Sequence, residues 1–282
     1  MPEPGIAGIS PSVDNHAHAF CGDLPFAASR VYTPEPCQAG TARQFRAVLD
    51  AHGVSHALLV GAQPYGTDNR CLLRSIAGSG GRFRGVALVA PGTTERELRD
   101  LADGGIVGIR INLSTDGMRD LVVPGADRLL AQVREMGWFV QVHCEHDELA
   151  EAAPILRRAG VRTMIDHFGR PHASRGLSQP GFQALLALGR QGEAVCKVSG
   201  PFRSSVEGYP WRDVDPFVEA VLDAFTPDRC VWGSDWPFVR MDERVDYGPG
   251  LSWLKRVVPD DARRGKLLWS TPARLFGFAR PS

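Results

Sequence analysis

Eight short β-branched or apolar runs recur along the chain, each followed by a longer amphipathic stretch. That alternation is the pattern of βα units, not of an all-β or all-α domain. The runs are SVDNHAH (12–18), HALLV (56–60), FRGVALV (83–89), VGIRINL (107–113), FVQVHC (139–144), RTMID (162–166), AVCKVS (194–199) and RCVWGSD (229–235). Helices are expected near 41–53, 69–79, 94–104, 124–137, 147–160, 180–192, 214–225 and 260–276. Thr41, Thr94 and Asp147 stand where N-caps belong, Pro180 and Pro216 suit a first turn, and Gly53, Gly137 and Gly160 stand where helices stop. Eight such pairs in 282 residues predict an α/β chain, a single-domain (β/α)8 TIM barrel spanning 1–282. An open doubly wound sheet would more often show a glycine-rich phosphate turn, and no GxGxxG motif follows a strand.

Charge narrows the partners. Basic and acidic side chains balance at 32 each, which argues against nucleic acid or an anionic membrane as a standing partner. No apolar run approaches the roughly 18 residues that cross a bilayer, and the first residues lack the basic and apolar regions of a secretory leader. The six cysteines are scattered without a CxxC pair, so neither a zinc ribbon nor a disulfide framework is indicated and a reducing cytoplasm fits. The sequence leaves a homo-oligomer open.

In a (β/α)8 barrel the C-terminal strand ends converge on one mouth. Here those ends are polar: His16 and His18, Arg110 and Asn112, His143 and Glu145, Asp166 and His167, Lys197 and Ser199, Ser234 and Asp235. His16 and His18 are two apart and share a strand face, so their imidazoles can converge. With His143 and Asp235 they form a plausible first shell for Zn2+ or Mn2+ with an open position for water. Asp235, flanked by aromatic rings in VWGSDWP, suits a general base toward water, and His167 suits a second proton-handling or carbonyl-polarising group. Arg110, Arg170 and Arg203 follow strands four, six and seven, where guanidinium forks suit a carboxylate. Tyr65 and Asn69, in QPYGTDN, are expected to add hydrogen bonds to the substrate. The loops 20–40 and 200–213 are long enough to be functional. No GxSxG elbow supports a serine hydrolase.

Together, DNHAH (14–18), VHCEH (142–146), IDHFGRP (165–171), KVSG (197–200) and WGSDWP (232–237) resemble the amidohydrolase superfamily. SRVYTPEP (29–36), QPYGTDNR (63–70) and TPARLFGF (271–278) narrow the resemblance to the branch containing 2-pyrone-4,6-dicarboxylate lactonase and related lactone hydrolases. It implies a hydrolase that opens a small anionic lactone by water attack. Asp235 would be the base, His16 and His18 the HxH pair, and His167 and Arg170 the HxGR pair, with Arg110 and Arg203 on carboxylate. The dicarboxylate lactonase lacks a strand-five histidine and is understood to work without a metal, whereas metal-using relatives bind through positions corresponding to His16, His18, His143 and Asp235. Two alternatives remain: a metal-dependent non-oxidative decarboxylase of an aromatic or dienoic acid on the same barrel, and an inactive barrel acting as a binding protein.

Overall fold

The structure, a computed structural model, describes residues 11–280; residues 1–10, where a leader would begin, lie outside the described residues. The expected (β/α)8 barrel is present. Its strands are β1 (Val13–Ala17), β2 (His56–Val60), β3 (Phe83–Ala87), β4 (Ile106–Asn112), β5 (Phe139–His143), β6 (Arg162–Ile165), β7 (Ala194–Ser199) and β8 (Cys230–Gly233). They lie side by side in chain order, each parallel to the next. β1 and β8 then meet: Asp235 N donates to His16 O at 2.8 Å and His18 N to Trp236 O at 2.8 Å. Glycine is required at this seam, because a Cβ on Gly233 would lie 2.6 Å from His16 N. Asp14 bolts the same seam, its Oδ1 accepting from His16 N (3.1 Å) and Ser234 N (2.9 Å) and its Oδ2 from the Tyr247 hydroxyl (3.1 Å).

The lower barrel interior is apolar. Val13, Leu58, Val86, Phe139, Met164, Val195 and Val231 form one buried cluster, and Phe276 and Phe278 from the end of the chain close it from below. Above this floor the interior turns polar, with Gln141, Asp166 and Lys197 fully buried. The larger apolar cluster fills the space between the strands and the surrounding helices. Thr41 and Thr94 close full capping boxes with Gln44 and Glu97, fixing the helices Ala42–Ala51 and Glu95–Asp103. Asp147 makes no side-chain cap and instead accepts from Gly181 N (3.2 Å) and pairs with Arg175 (2.7 Å).

Three local features depart from the sequence reading. Tyr247–Val257 is a helix despite two glycines and a proline in its first turn, because Tyr247, Trp253 and Leu254 bury against the barrel. The stretch near 260–276 is helical throughout, as expected, but not uniformly α: Asp261–Gly265 and Thr271–Phe276 are joined by a π-turn at Lys266–Ser270. Finally, Cys21 and Cys71 form a disulfide, Cα to Cα 5.7 Å, which their separation of 50 residues concealed. The bond ties the loop after β1 to the helix Arg70–Ala77. No helix among the described residues is long and apolar enough to cross a membrane.

Candidate active site

The strand ends deliver His16, His18, His167 and Asp235 to one point. Asp235 Oδ1 faces His16 Nε2 at 3.6 Å, His18 Nε2 at 3.9 Å and His167 Nε2 at 3.9 Å, while Oδ2 accepts from Arg203 Nε at 2.7 Å. Asp235, His167 and Arg170 all adopt left-handed backbone, φ 64°, 48° and 45°. Such residues cost on the order of 1–3 kcal/mol each and persist only where surrounding contacts hold them.

Burial, the largest influence on Asp235, favours its neutral form, but Arg203 and then His167, His16 and His18 outweigh it and hold the carboxyl well below its ordinary range. His18 and His167 are pushed down to about 4, each chiefly by burial, and His16 lies well below its usual value through burial and the Lys197 charge. The mouth therefore presents neutral imidazoles to an ionised aspartate at neutral pH.

Each ring is anchored through Nδ1. His18 Nδ1 donates to Val60 O (2.9 Å) and His167 Nδ1 meets Ser199 Oγ (2.9 Å). His16 Nδ1 faces Asp166 Oδ1 at 3.2 Å, with Lys197 Nζ 3.3 Å from the same nitrogen. Asp166 is the hub beneath the site: it accepts from Arg110 Nε (3.2 Å) and Gln141 Nε2 (3.0 Å) and lies 3.3 Å from Lys197 Nζ. Burial alone would neutralise Asp166, yet Lys197, His16 and Arg110 together keep its pKa well below normal. Lys197 is itself lowered to about 8, first by burial.

The arrangement suits a divalent cation. Among the described residues, His16, His167 and Asp235 bring ligand atoms within 4.8 Å of one another. His16 Nε2 is buried without a hydrogen-bond partner. His18, whose Nδ1 proton is committed to a carbonyl, turns an Nε2 lone pair toward the same carboxylate oxygen. Lone pairs converging on a carboxylate call for positive charge between them, and an imidazole whose far nitrogen meets a carboxylate is a common metal-ligand geometry.

His143 is not part of that group. Its Nδ1 meets Asn112 Oδ1 (2.8 Å) and Ser114 Oγ (2.9 Å), and its Nε2 meets Arg170 Nη1 (3.1 Å). Of the set expected from the sequence, His16 and Asp235 belong to the converging group and are joined there by His167, His18 stands beside it with Nε2 3.9 Å from Asp235 Oδ1, and His143 lies outside it because the β5 ring is turned toward β4 and Arg170.

Arg110, Arg170 and Arg203 all line the same pocket, a narrow space of about 60 Å3. It adjoins a larger cleft of about 630 Å3 that shares Val31, Gln63, Arg110, Asn112 and Thr115. Tyr65 lines the outer cleft but not the inner pocket, and Asn69 lines neither. The Tyr65 hydroxyl donates to Cys21 O (3.0 Å) and accepts from Cys21 N (2.8 Å), and Asn69 binds the Leu88 backbone through both amide atoms (2.8 and 3.2 Å). Both hold loops through these bonds. The sequence reading missed Tyr32 and Arg240, which line the pocket. Burial first of all pushes the Tyr32 phenol up to about 12, so it stays protonated. Tyr32 lies in the 20–40 loop singled out as functional, but nothing in the sequence shows that the loop folds back over the mouth.

Comparison with known proteins identifies the family. The family model described as amidohydrolase matches residues 13–278. A 2-pyrone-4,6-dicarboxylate hydrolase of Comamonas testosteroni is 32% identical over 277 residues, covering 94% of this chain and 90% of its own. A 4-sulfomuconolactone hydrolase of Rhizobium radiobacter is 32% identical over 270 residues, covering 94% and 89%. The crystal structure of a probable 2-pyrone-4,6-dicarboxylic acid hydrolase from Acinetobacter baumannii with citric acid bound superposes with a TM-score of 0.86 at 30% identity, covering 95% of this chain and 99% of that one.

Proposed function

Since the chain belongs to the amidohydrolase family, we propose that this hydrolase opens a small lactone bearing at least one further anionic group, with Asp235 as general base toward water. The observation that carries the reading is a carboxylate, ringed by three imidazoles, that lines one pocket together with three arginines. Relatives named for a pyrone dicarboxylate and a sulfomuconolactone support an anionic lactone.

Arg110, Arg170 and Arg203 bind the substrate's anionic groups and hold its ester carbonyl over Asp235. Asp235 Oδ1 takes a proton as the water oxygen forms its bond to the carbonyl carbon. The ring C–O bond then breaks and the leaving oxygen takes that proton back, giving a free acid that ionises and releases one proton to solvent. Arg203 governs the base: while it donates to Oδ2 the carboxylate is a weak proton acceptor, and a substrate carboxylate that draws the guanidinium away strengthens it. With no metal held, neutral His167 polarises the carbonyl through Nε2, its Nδ1 being anchored on Ser199. A zinc or manganese ion held by His16, His167 and Asp235, with His18 adjacent, would acidify the water and polarise the carbonyl.

The test is proton release, followed with a pH indicator, on pyrone, muconolactone and sugar-acid lactones, with and without a chelator. Acid production that Asp235→Asn abolishes in a folded protein is the expected result. Full turnover in that variant would remove Asp235 from its role, and silence of the wild type across the panel would sink the lactone reading. Loss on chelation with recovery on added Zn2+ is the outcome expected for a working metal site.

A further inference from the structure

We infer that His143 is a positioning residue that fixes Arg170 for the substrate's anionic group and does not ligate a metal ion. The inference rests on the reading of Arg170 as an anion-binding residue. The geometry begins at Asn112, whose Oδ1 already accepts the Ser114 hydroxyl (3.0 Å) and lies 2.8 Å from His143 Nδ1. A carbonyl oxygen only accepts, so Nδ1 carries the ring proton and Nε2 carries a lone pair. That lone pair receives Arg170 Nη1 at 3.1 Å.

Glu145 Oε1 takes the same nitrogen at 2.5 Å. His143 and Glu145 therefore share one corner of the guanidinium and leave the edge formed by Nε and Nη2. Arg170 Nε is buried with no hydrogen-bond partner, an uncommon state for a charged donor, and the side chain lines the pocket. A free Nε and Nη2 edge is the geometry that takes a carboxylate bidentately. Arg170 sits on left-handed backbone, φ 45°, so its direction depends on such side-chain anchors.

A metal on His143 Nε2 would have to displace a guanidinium from hydrogen-bond distance and stand beside its charge. The alternative ring nitrogen is committed to Asn112. Burial, then Arg110 and Arg170, also keeps the ring neutral, as an acceptor for Arg170 must be. The strand-five histidine thus serves the anion half of the pocket, whereas His16, His18 and His167 serve the Asp235 half.

The experiment compares wild type, His143→Leu, His143→Gln, Arg170→Met and the double variant H143L/R170M. Three readings are taken: citrate affinity by calorimetry, zinc content after equilibration with the metal, and the split between KM and kcat on any lactone that turns over. Loss of one charged-group hydrogen bond predicts citrate binding about tenfold weaker in H143L, with zinc content equal to that of the wild type. H143Q, which keeps an acceptor, retains most of the affinity and checks that H143L has not merely unfolded. The double variant binds no worse than R170M, because His143 acts through Arg170, and KM rises while kcat holds. Zinc lost from H143L, citrate affinity unchanged by it, losses that add in the double variant, or a wild type that binds no citrate each overturn the inference. Citrate bound by the wild type with no lactone turned over would sink the lactone reading while leaving this inference intact.

Discussion

Asp166→Asn tests the hub beneath the mouth. The carboxylate has no solvent exposure, and two cations depend on it: Lys197 Nζ at 3.3 Å and Arg110 Nη2 at 3.1 Å. A unit pair at such a distance is worth about 5 kcal/mol at an effective dielectric of about 20, before the cost of desolvating both partners is counted. Removing one member of a buried pair typically costs about 3–5 kcal/mol, since the other charge stays buried and unanswered. Against a total stability on the order of 5–15 kcal/mol, Asp166→Asn should shift a urea midpoint heavily at pH 7.5. Without Asp166 the Lys197 ammonium, already lowered to about 8, must stay buried unpaired or give up its proton, and either costs stability, so Lys197→Met placed in the Asp166→Asn background should recover a large part of the loss. Urea unfolding of the four proteins in this cycle gives the coupling directly. An Asp166→Asn protein within 1 kcal/mol of wild type, or a double variant whose losses merely add, would refute the account of Asp166 as the counter-ion of the barrel interior.

Acid should weaken the chelator-treated protein in a defined window. His18 and His167, depressed to about 4 chiefly by burial, leave the unfolded chain holding protons that the folded protein lacks between about pH 4 and 6.5, so stability rises with pH there by up to about 3 kcal/mol per ring. Asp14, raised to about 6 by burial, opposes this between about pH 3.8 and 6, but the depressed His16 and His143 add to the histidine side; urea midpoints that fail to climb from pH 4.5 to 6.5 would contradict the sum. Gly233→Ala must push β1 away, since its Cβ would meet His16 N at 2.6 Å, and should cost about 1–3 kcal/mol together with at least tenfold in kcat, read by thermal unfolding and steady-state kinetics. Reducing the Cys21–Cys71 bond, which closes a loop of about 50 residues, should cost up to about 4 kcal/mol on the chain-entropy account, and an unchanged thermal midpoint under reductant would count against it.

The barrel and the membership of its mouth were legible because both follow from periodicity. Alternating βα units announce themselves locally, and once eight strands are placed their C-terminal residues are the mouth. His16, His18, His167, Asp235 and the three arginines were found this way. Tyr65 and Asn69 stand outside the inner pocket for the complementary reason: they follow a strand, but their polar atoms bind the backbone at Cys21 and Leu88, partners 44 and 19 residues away in sequence. The disulfide and the Tyr247–Val257 helix were hidden similarly, one by distance along the chain and the other by local propensity that tertiary burial overrides.

The four mouth histidines show why residue type and strand position together still fall short of a role. Every one is fixed at Nδ1, by Asp166, Val60 O, Asn112 or Ser199, and every one of those anchors stands on or just beyond a strand other than the histidine's own. The anchor decides where Nε2 points. For His16, His18 and His167 it points at Asp235 Oδ1, 3.6–3.9 Å away, too far for a hydrogen bond and near enough that a proton or cation between them would be shared. For His143 it points at a guanidinium. On the proposed reading the pocket is divided accordingly, an electron-rich half for the water and the ester carbonyl and a cationic half for the substrate's acid groups, with Arg203 bridging the two through Asp235 Oδ2. A substrate acid group that competes for Arg203 then couples the halves: binding in one raises the basicity of the carboxylate in the other, so a lactone lacking the acid group should lose kcat as well as affinity.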